Sequence, residues 1–178
     1  WLMWAVMLAP IGMVLIMSFA FNRLSFAALM GLFLAYSLVN GMSLSVIFLI
    51  YSSAAISKVF FITAGLFATM AAVGYTTKTD LTKLGSLLMM AVLGIVIASV
   101  VNYFLESAAF DYLISCVGVL VFTGLVAYDT QKVKRIGAGV EYGTAAAGKL
   151  ALMGALSLYL DFINLFLFML RVFGGRRD

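Results

Sequence analysis

Asp161 is the residue whose chemistry first needs an explanation. It sits in ALSLYLDFINLFLFMLR, residues 155–171, a run otherwise made mostly of Leu, Phe, Ile and Met. A carboxylate at membrane depth costs about 2.5–3.5 kcal/mol on insertion scales, so such residues face the protein interior or a water-filled path. Asn164 lies one helical turn further on, on the same face. Something must stand opposite this polar patch. Asp129, in GLVAYDTQKVKR, is the other acid at the edge of an apolar run. Two readings of Asp129 stay open. One is an interfacial carboxylate paired with Lys132 at i+3, worth about 0.2–0.5 kcal/mol; the other is a functional intramembrane acid. Asp80, Glu106, Asp111 and Glu141 fall in expected loops, and Asp178 is terminal.

Two carboxylates brought together in a low-dielectric site cannot both stay ionised cheaply, so they share a proton and titrate as a unit. Doubly ionised, the pair offers hard oxygen ligands to Ca²⁺. Singly protonated, it closes on itself through a hydrogen bond, and acid shuts what neutral pH opens. The meeting has a geometric condition. Asp129 lies about 9 Å inside a helix end at Arg135, at 1.5 Å per residue. Asp161 lies about 24 Å from a helix start at Ala145, but only about 10 Å from a start near Gly154. A pair therefore predicts a break near Gly154, with residues 145–153 lying along the membrane surface.

The elements that must position these acids follow from composition. The 178 residues are 65% hydrophobic and 10% charged, with a mean hydropathy of +1.18. Soluble domains run at about 45–50% apolar and about 25% charged. The chain reads as an all-α polytopic membrane protein, with membrane lipids rather than nucleic acid as its surroundings. One Pro and no low-complexity run make residues 1–178 a single transmembrane domain. The absence of His removes His-dependent catalysis, His metal sites and the usual neutral-pH switch. No cofactor is expected. Cys116, the single cysteine, lies in an apolar run and reads as a small packing thiol. The chain opens at Trp1 inside an apolar run with no charged n-region, so no signal peptide is recognised and an N-terminally truncated chain is expected.

Uncharged runs near the 20-residue length of a bilayer span occur at residues 1–22, 24–57 (with a polar turn at Tyr51-Ser52-Ser53), 59–77, 84–105, 112–128 and 155–171. Six spans are visible, the fifth continuing past Asp129 to about Arg135. Short connections force neighbouring helices to pack up and down. Residues 136–149, IGAGVEYGTAAAGK, are the exception: rich in Gly and Ala, and too polar to span. With alternating spans, Arg23, Lys78, Lys83, Lys132, Lys134, Arg135 and Lys149 share one side, against Lys58, Arg171, Arg176 and Arg177 on the other. The positive-inside rule puts the richer side in the cytoplasm. The basic tail then lies outside, unless the last span is re-entrant.

AYDTQK at residues 127–132 and the whole of residues 155–171 resemble the Bax inhibitor-1 family, also called the transmembrane Bax inhibitor motif family, and its bacterial members in particular. The likeness extends more weakly over the chain, including Asn40-Gly41-Met42-Ser43 and residues 74–83. The resemblance implies a seven-helix bundle whose last helix is central, with its first span absent here, in the bacterial inner membrane. It implies a pH-sensitive Ca²⁺ leak channel with Asp129 and Asp161 as the sensor pair, calcium ions and protons passing or binding there. It also implies a basic latch, by position Arg23, though Arg23 alone reads as an interfacial anchor.

Two other classes of function compete. A non-conducting regulator would bind other membrane proteins, such as quality-control proteases or cell-death and stress modulators, and would keep its phenotype without either aspartate. An intramembrane aspartyl protease would use Tyr128-Asp129 as one half-motif. Its other half should read GxGD where LYLD stands at residues 158–161, and the PAL motif is missing because the one proline is Pro10. The expectation is therefore not an enzyme.

Overall fold

The structure is a computed structural model that describes residues 2–21 and 23–175. Its elements are helices: α1 (Leu2–Phe19), α2 (Phe26–Leu44), the single turn α3 (Ile47–Ile50), α4 (Ser53–Thr76), α5 (Thr82–Leu105), α6 (Ala108–Ala138) and α7 (Ala145–Phe173). Five of them, counting α2 and α3 as one, are long and apolar enough to cross a membrane. Of the first expected span, α1 is described, while Trp1 and Asn22 lie outside the described residues, as do Arg176, Arg177 and Asp178 of the basic tail. The helices start where the sequence supplies an N-cap. Ser25, Ser52, Ser107 and Thr144 each accept a hydrogen bond from the backbone N–H three residues on, filling donors that the first turn leaves empty. At α5 the carboxylate of Asp80 takes the N–H of Thr82, 2.9 Å away.

Two groups of helices meet on α7. The first half of α7, through Leu152 and Leu156, packs with Met17, Leu29 and Tyr36 of α1 and α2. Its second half, through Leu165, Phe166, Met169 and Leu170, packs with α4 and α6. The broadest pairing is α6 against α7, and α5 is attached chiefly to α6. Buried residues concentrate along α6 and α7, whereas α5 turns Leu93, Ile97 and Phe104 outward, as a helix facing lipid does. Between α2 and α7 the Asn40 amide donates to the Tyr159 hydroxyl at 3.1 Å, and Tyr159 sits edge-on to Phe33 and Tyr36.

The expected break near Gly154 is absent: α7 is one helix from Ala145 to Phe173. Unbroken helix keeps every backbone group paired where no water can reach. Gly154 is used for close approach instead. A Cβ there would sit 2.7 Å from Val133 of α6, and a Cβ on Gly118 would sit 2.6 Å from the Phe168 ring. These two contacts set an antiparallel register in which the first turn of α7 runs past the end of α6. Asp161 then lies only about one turn, roughly 5 Å, deeper than Asp129. That is a gap two side chains can close. The earlier arithmetic failed because it started both helices at one level and ended α6 at Arg135 rather than Ala138.

Gly154→Leu is expected to force α6 and α7 apart and to destabilise the protein by about 1–3 kcal/mol. Gly65→Leu is the matched control, since a Cβ there meets nothing within 4 Å. Thermal unfolding in detergent should show a lowered midpoint for the first variant and little change for the second.

Candidate functional site

Each residue of the segment from Ala127 to Arg135 meets a different neighbour, and together they build the site. The backbone of Ala127 lies so close to Gly74 of α4 that any Cβ at Gly74 would collide with it, and the Tyr128 ring covers Gly85 of α5 in the same way. Thr130 returns its hydroxyl to the Val126 carbonyl of its own helix at 2.7 Å. Gln131, 5% exposed, donates to the Thr79 carbonyl at 2.8 Å and accepts from the Leu81 N–H at 2.9 Å. Its amide thereby pins the connection between α4 and α5 to α6. Lys134 donates to the Tyr75 carbonyl at 2.7 Å and lies over the Tyr75 ring. Arg135 pairs with Asp80 at 2.8 Å. Asp129 is left facing α7, where Asp161 waits.

The carboxyl groups of Asp129 and Asp161 are within hydrogen-bonding reach of each other. A carboxylate only accepts, so a hydrogen bond between them would need a proton on one of the two. Asp161 is 5% exposed, and its Oδ2 is the one buried side-chain oxygen or nitrogen among the described residues with no hydrogen-bond partner. Asp129 is half-buried and lines a cavity of about 920 Å³ between the last turns of α6, the connection at residues 139–144 and the first half of α7. Lys132, one turn from Asp129, lies on the wall of the same cavity, its ammonium 5.9 Å from the centre of the Tyr128 ring. Asp129 is thus open to the cavity, with the buried Asp161 behind it. Beyond Asp161, toward the opposite end, α6 and α7 close over Leu165, Phe166 and the stacked rings of Phe122 and Phe168.

Asn164 and Arg23 do not join this pair. The Asn164 amide donates to the Leu160 carbonyl of its own helix at 2.8 Å. Arg23 is exposed in the turn between α1 and α2, with no ion pair to either aspartate among the described residues. Nor do three or more metal-binding side chains gather anywhere among the described residues. Ca²⁺ takes 6–8 oxygens, of which the pair offers at most four. The donor set therefore suits a cation in transit, completed by water, better than a resident ion.

Asp80, in the connection between α4 and α5, is held down at about 2 by the hydroxyl and N–H of Thr82 and then by the Arg135 guanidinium. A carboxyl whose value is depressed on folding contributes stability above its ordinary value near 4, lost only as pH falls toward 2. Across neutral pH that contribution is constant, so Asp80 and Arg135 form a fixed clamp and not a sensor.

The family model described as "Inhibitor of apoptosis-promoting Bax1" matches residues 1–178. The chain is similar to the inner membrane protein YbhL of Escherichia coli, 46% identical over 171 residues, covering 96% of this chain and 73% of that protein. It is 47% identical over 174 residues to an uncharacterized protein of Borreliella burgdorferi, covering 98% and 75% of the two chains. With an uncharacterized protein of Rickettsia prowazekii it shares 43% identity over 176 residues, covering 97% and 73%.

Gln131→Leu should release the connection between α4 and α5 and leave the Leu81 N–H and the Thr79 carbonyl without their partner, at a cost of about 1–3 kcal/mol. Amide hydrogen exchange is expected to be at least several-fold faster at Leu81 than in the parent protein. Exchange in the second half of α7 should be unchanged.

Proposed function

The chain belongs to the Bax inhibitor-1 family, and on that premise we propose that it is a proton-gated cation leak of the bacterial inner membrane. Calcium is the ion we assign to it, and Asp129 with Asp161 form the gate. The observation that carries this reading is the Asp161 carboxyl, buried, with one oxygen unpartnered and the other acid of the chain's interior within reach. Such a group is costly to keep in a membrane protein unless it works. The inner-membrane assignment is supported by the printed name of the Escherichia coli relative.

With one proton between them the two carboxyls hold each other, α6 and α7 stay closed, and the cavity ends at Asp129. Loss of that proton leaves two negative charges side by side. At about 4 Å and an effective dielectric near 20 they repel by about 4 kcal/mol, enough to bias a two-state helix pair. The same two charges then attract a divalent cation from the cavity and replace part of its water shell with hard oxygens. Acid closes the path and neutral or alkaline pH opens it. No step here makes or breaks a covalent bond in a substrate, so the reading is a transport protein and not an enzyme.

Calcium entry into dye-loaded liposomes, read from about pH 6 to about pH 8, should rise with pH, because the pair opens as it loses its shared proton. Asp129→Asn or Asp161→Asn should flatten that rise, while Asp80→Asn should leave it unchanged. Flux no greater than in empty liposomes, with the protein folded, would overturn the leak and favour a non-conducting regulator that binds other membrane proteins.

A further inference from the structure

The Gly- and Ala-rich stretch at residues 136–149 has no part in the aspartate pair, yet it helps to shape a large cavity. The cavity of about 920 Å³ is walled by Val133 and Ile136 of α6, Leu150 and Met153 of α7, Tyr142 of the connection and Phe26 of α2. Small-molecule sites measure about 300–1,000 Å³ and combine apolar walls with a few placed polar groups. This space meets both conditions. A Cβ on Gly137, which lines it, would meet nothing within 4 Å, so a larger side chain has room there.

Charge in the cavity is uneven from end to end. Asp129 is its deepest residue on α6 and is backed by Asp161 with its unpartnered Oδ2. The lysine on the wall, Lys132, is exposed and lies over the Tyr128 ring. At the inner end of the cavity the Asp129 carboxyl, with Asp161 behind it, thus stands apart from the single lining ammonium, Lys132, one turn nearer the end of α6. A hydrated inorganic ion would use the acids and leave the hydrocarbon walls idle, whereas a purely apolar molecule would leave the acids unanswered.

We propose that this cavity is a binding site for a single-chain amphipathic organic cation, its ammonium head against Asp129 and its hydrocarbon body between α6 and α7. Burying a chain of eight to ten methylenes removes enough apolar surface to hold it there, at about 0.8 kcal/mol for each one buried. The head supplies the positive charge that the two carboxyls lack. The proposal rests on the cavity and its charge, not on ion conduction. Binding is read without flux, so a chain that does not leak and a cavity that does not bind are told apart.

Decyltrimethylammonium, whose charge is fixed at every pH, is the probe. Its radiolabelled form would be titrated onto the protein in phosphatidylcholine nanodiscs, with empty nanodiscs subtracted and decanoate run as the matched anion. Saturable binding at one site per chain is expected, with decanoate at least about tenfold weaker. Asp129→Asn should weaken the cation about tenfold. Gly137→Phe, which builds a ring into the empty space, should abolish binding, and Ala151→Phe on the facing wall should do so independently if the first variant fails to fold. Val96→Phe on the outward face of α5 should change nothing. No saturable binding, or binding untouched by both phenylalanines, would overturn the site. Equal binding of decanoate would reduce it to an apolar slot without charge recognition, and tighter binding of decanoate would mark an anion site at Lys132. Either result also overturns the proposal.

Discussion

A carboxyl buried between two membrane helices is the constraint on which the rest of this structure depends. Asp161 is within reach of Asp129 and is otherwise surrounded by Leu, Phe and Met side chains of its own helix and its neighbours. Charge cannot be left bare in such a place. In the proposed gate a shared proton answers that cost, and the two acids stay within reach only while α6 and α7 keep their register. Gly154 against Val133 and Gly118 against Phe168 fix that register by letting the helices approach where a larger residue would hold them apart. The packing of glycine and the placing of charge are therefore one problem.

Around that contact the polar end of α6 is anchored on two sides. Gln131 ties it to the connection between α4 and α5, and Arg135 ties it to Asp80. Both anchors lie within two turns of Asp129, and the clamp at Asp80 keeps its charge throughout the neutral range. A change of charge at Asp129 and Asp161 therefore acts on a helix that is fixed on its α4 and α5 side. The first helix group holds α7 mainly through α2, by apolar packing and by the bond from Asn40 to Tyr159.

Much of this was legible in the residues. Long uncharged runs gave the helices, the polar turn at residues 51–53 falls at the break between α3 and α4, and an acid inside an apolar run marked Asp161 and required a partner. What stayed hidden depends on tertiary register. A glycine in an apolar helix reads equally as a break or a contact, and only the position of Val133 decides that Gly154 is the second. Gln131 looked like one more polar residue at a helix end, because nothing local tells which carbonyl an amide will find fifty residues away. The cavity was hidden for the same reason: residues 136–149 show that they cannot span, but not that they enclose a space reaching Asp129. Arg23 carried the right charge at the right place in the chain, and the structure leaves it exposed at the turn.

The shared proton is the central claim, and infrared spectroscopy of the protein in nanodiscs at about pH 6 and at about pH 8 tests it most directly. A protonated carboxyl has a C=O stretch distinct from that of a carboxylate, and the band shifts when H₂O is replaced by D₂O. The account predicts one such band per chain at about pH 6, lost by about pH 8 as the shared proton leaves. A parent protein without the band at about pH 6, or with a band unchanged at about pH 8, would contradict it.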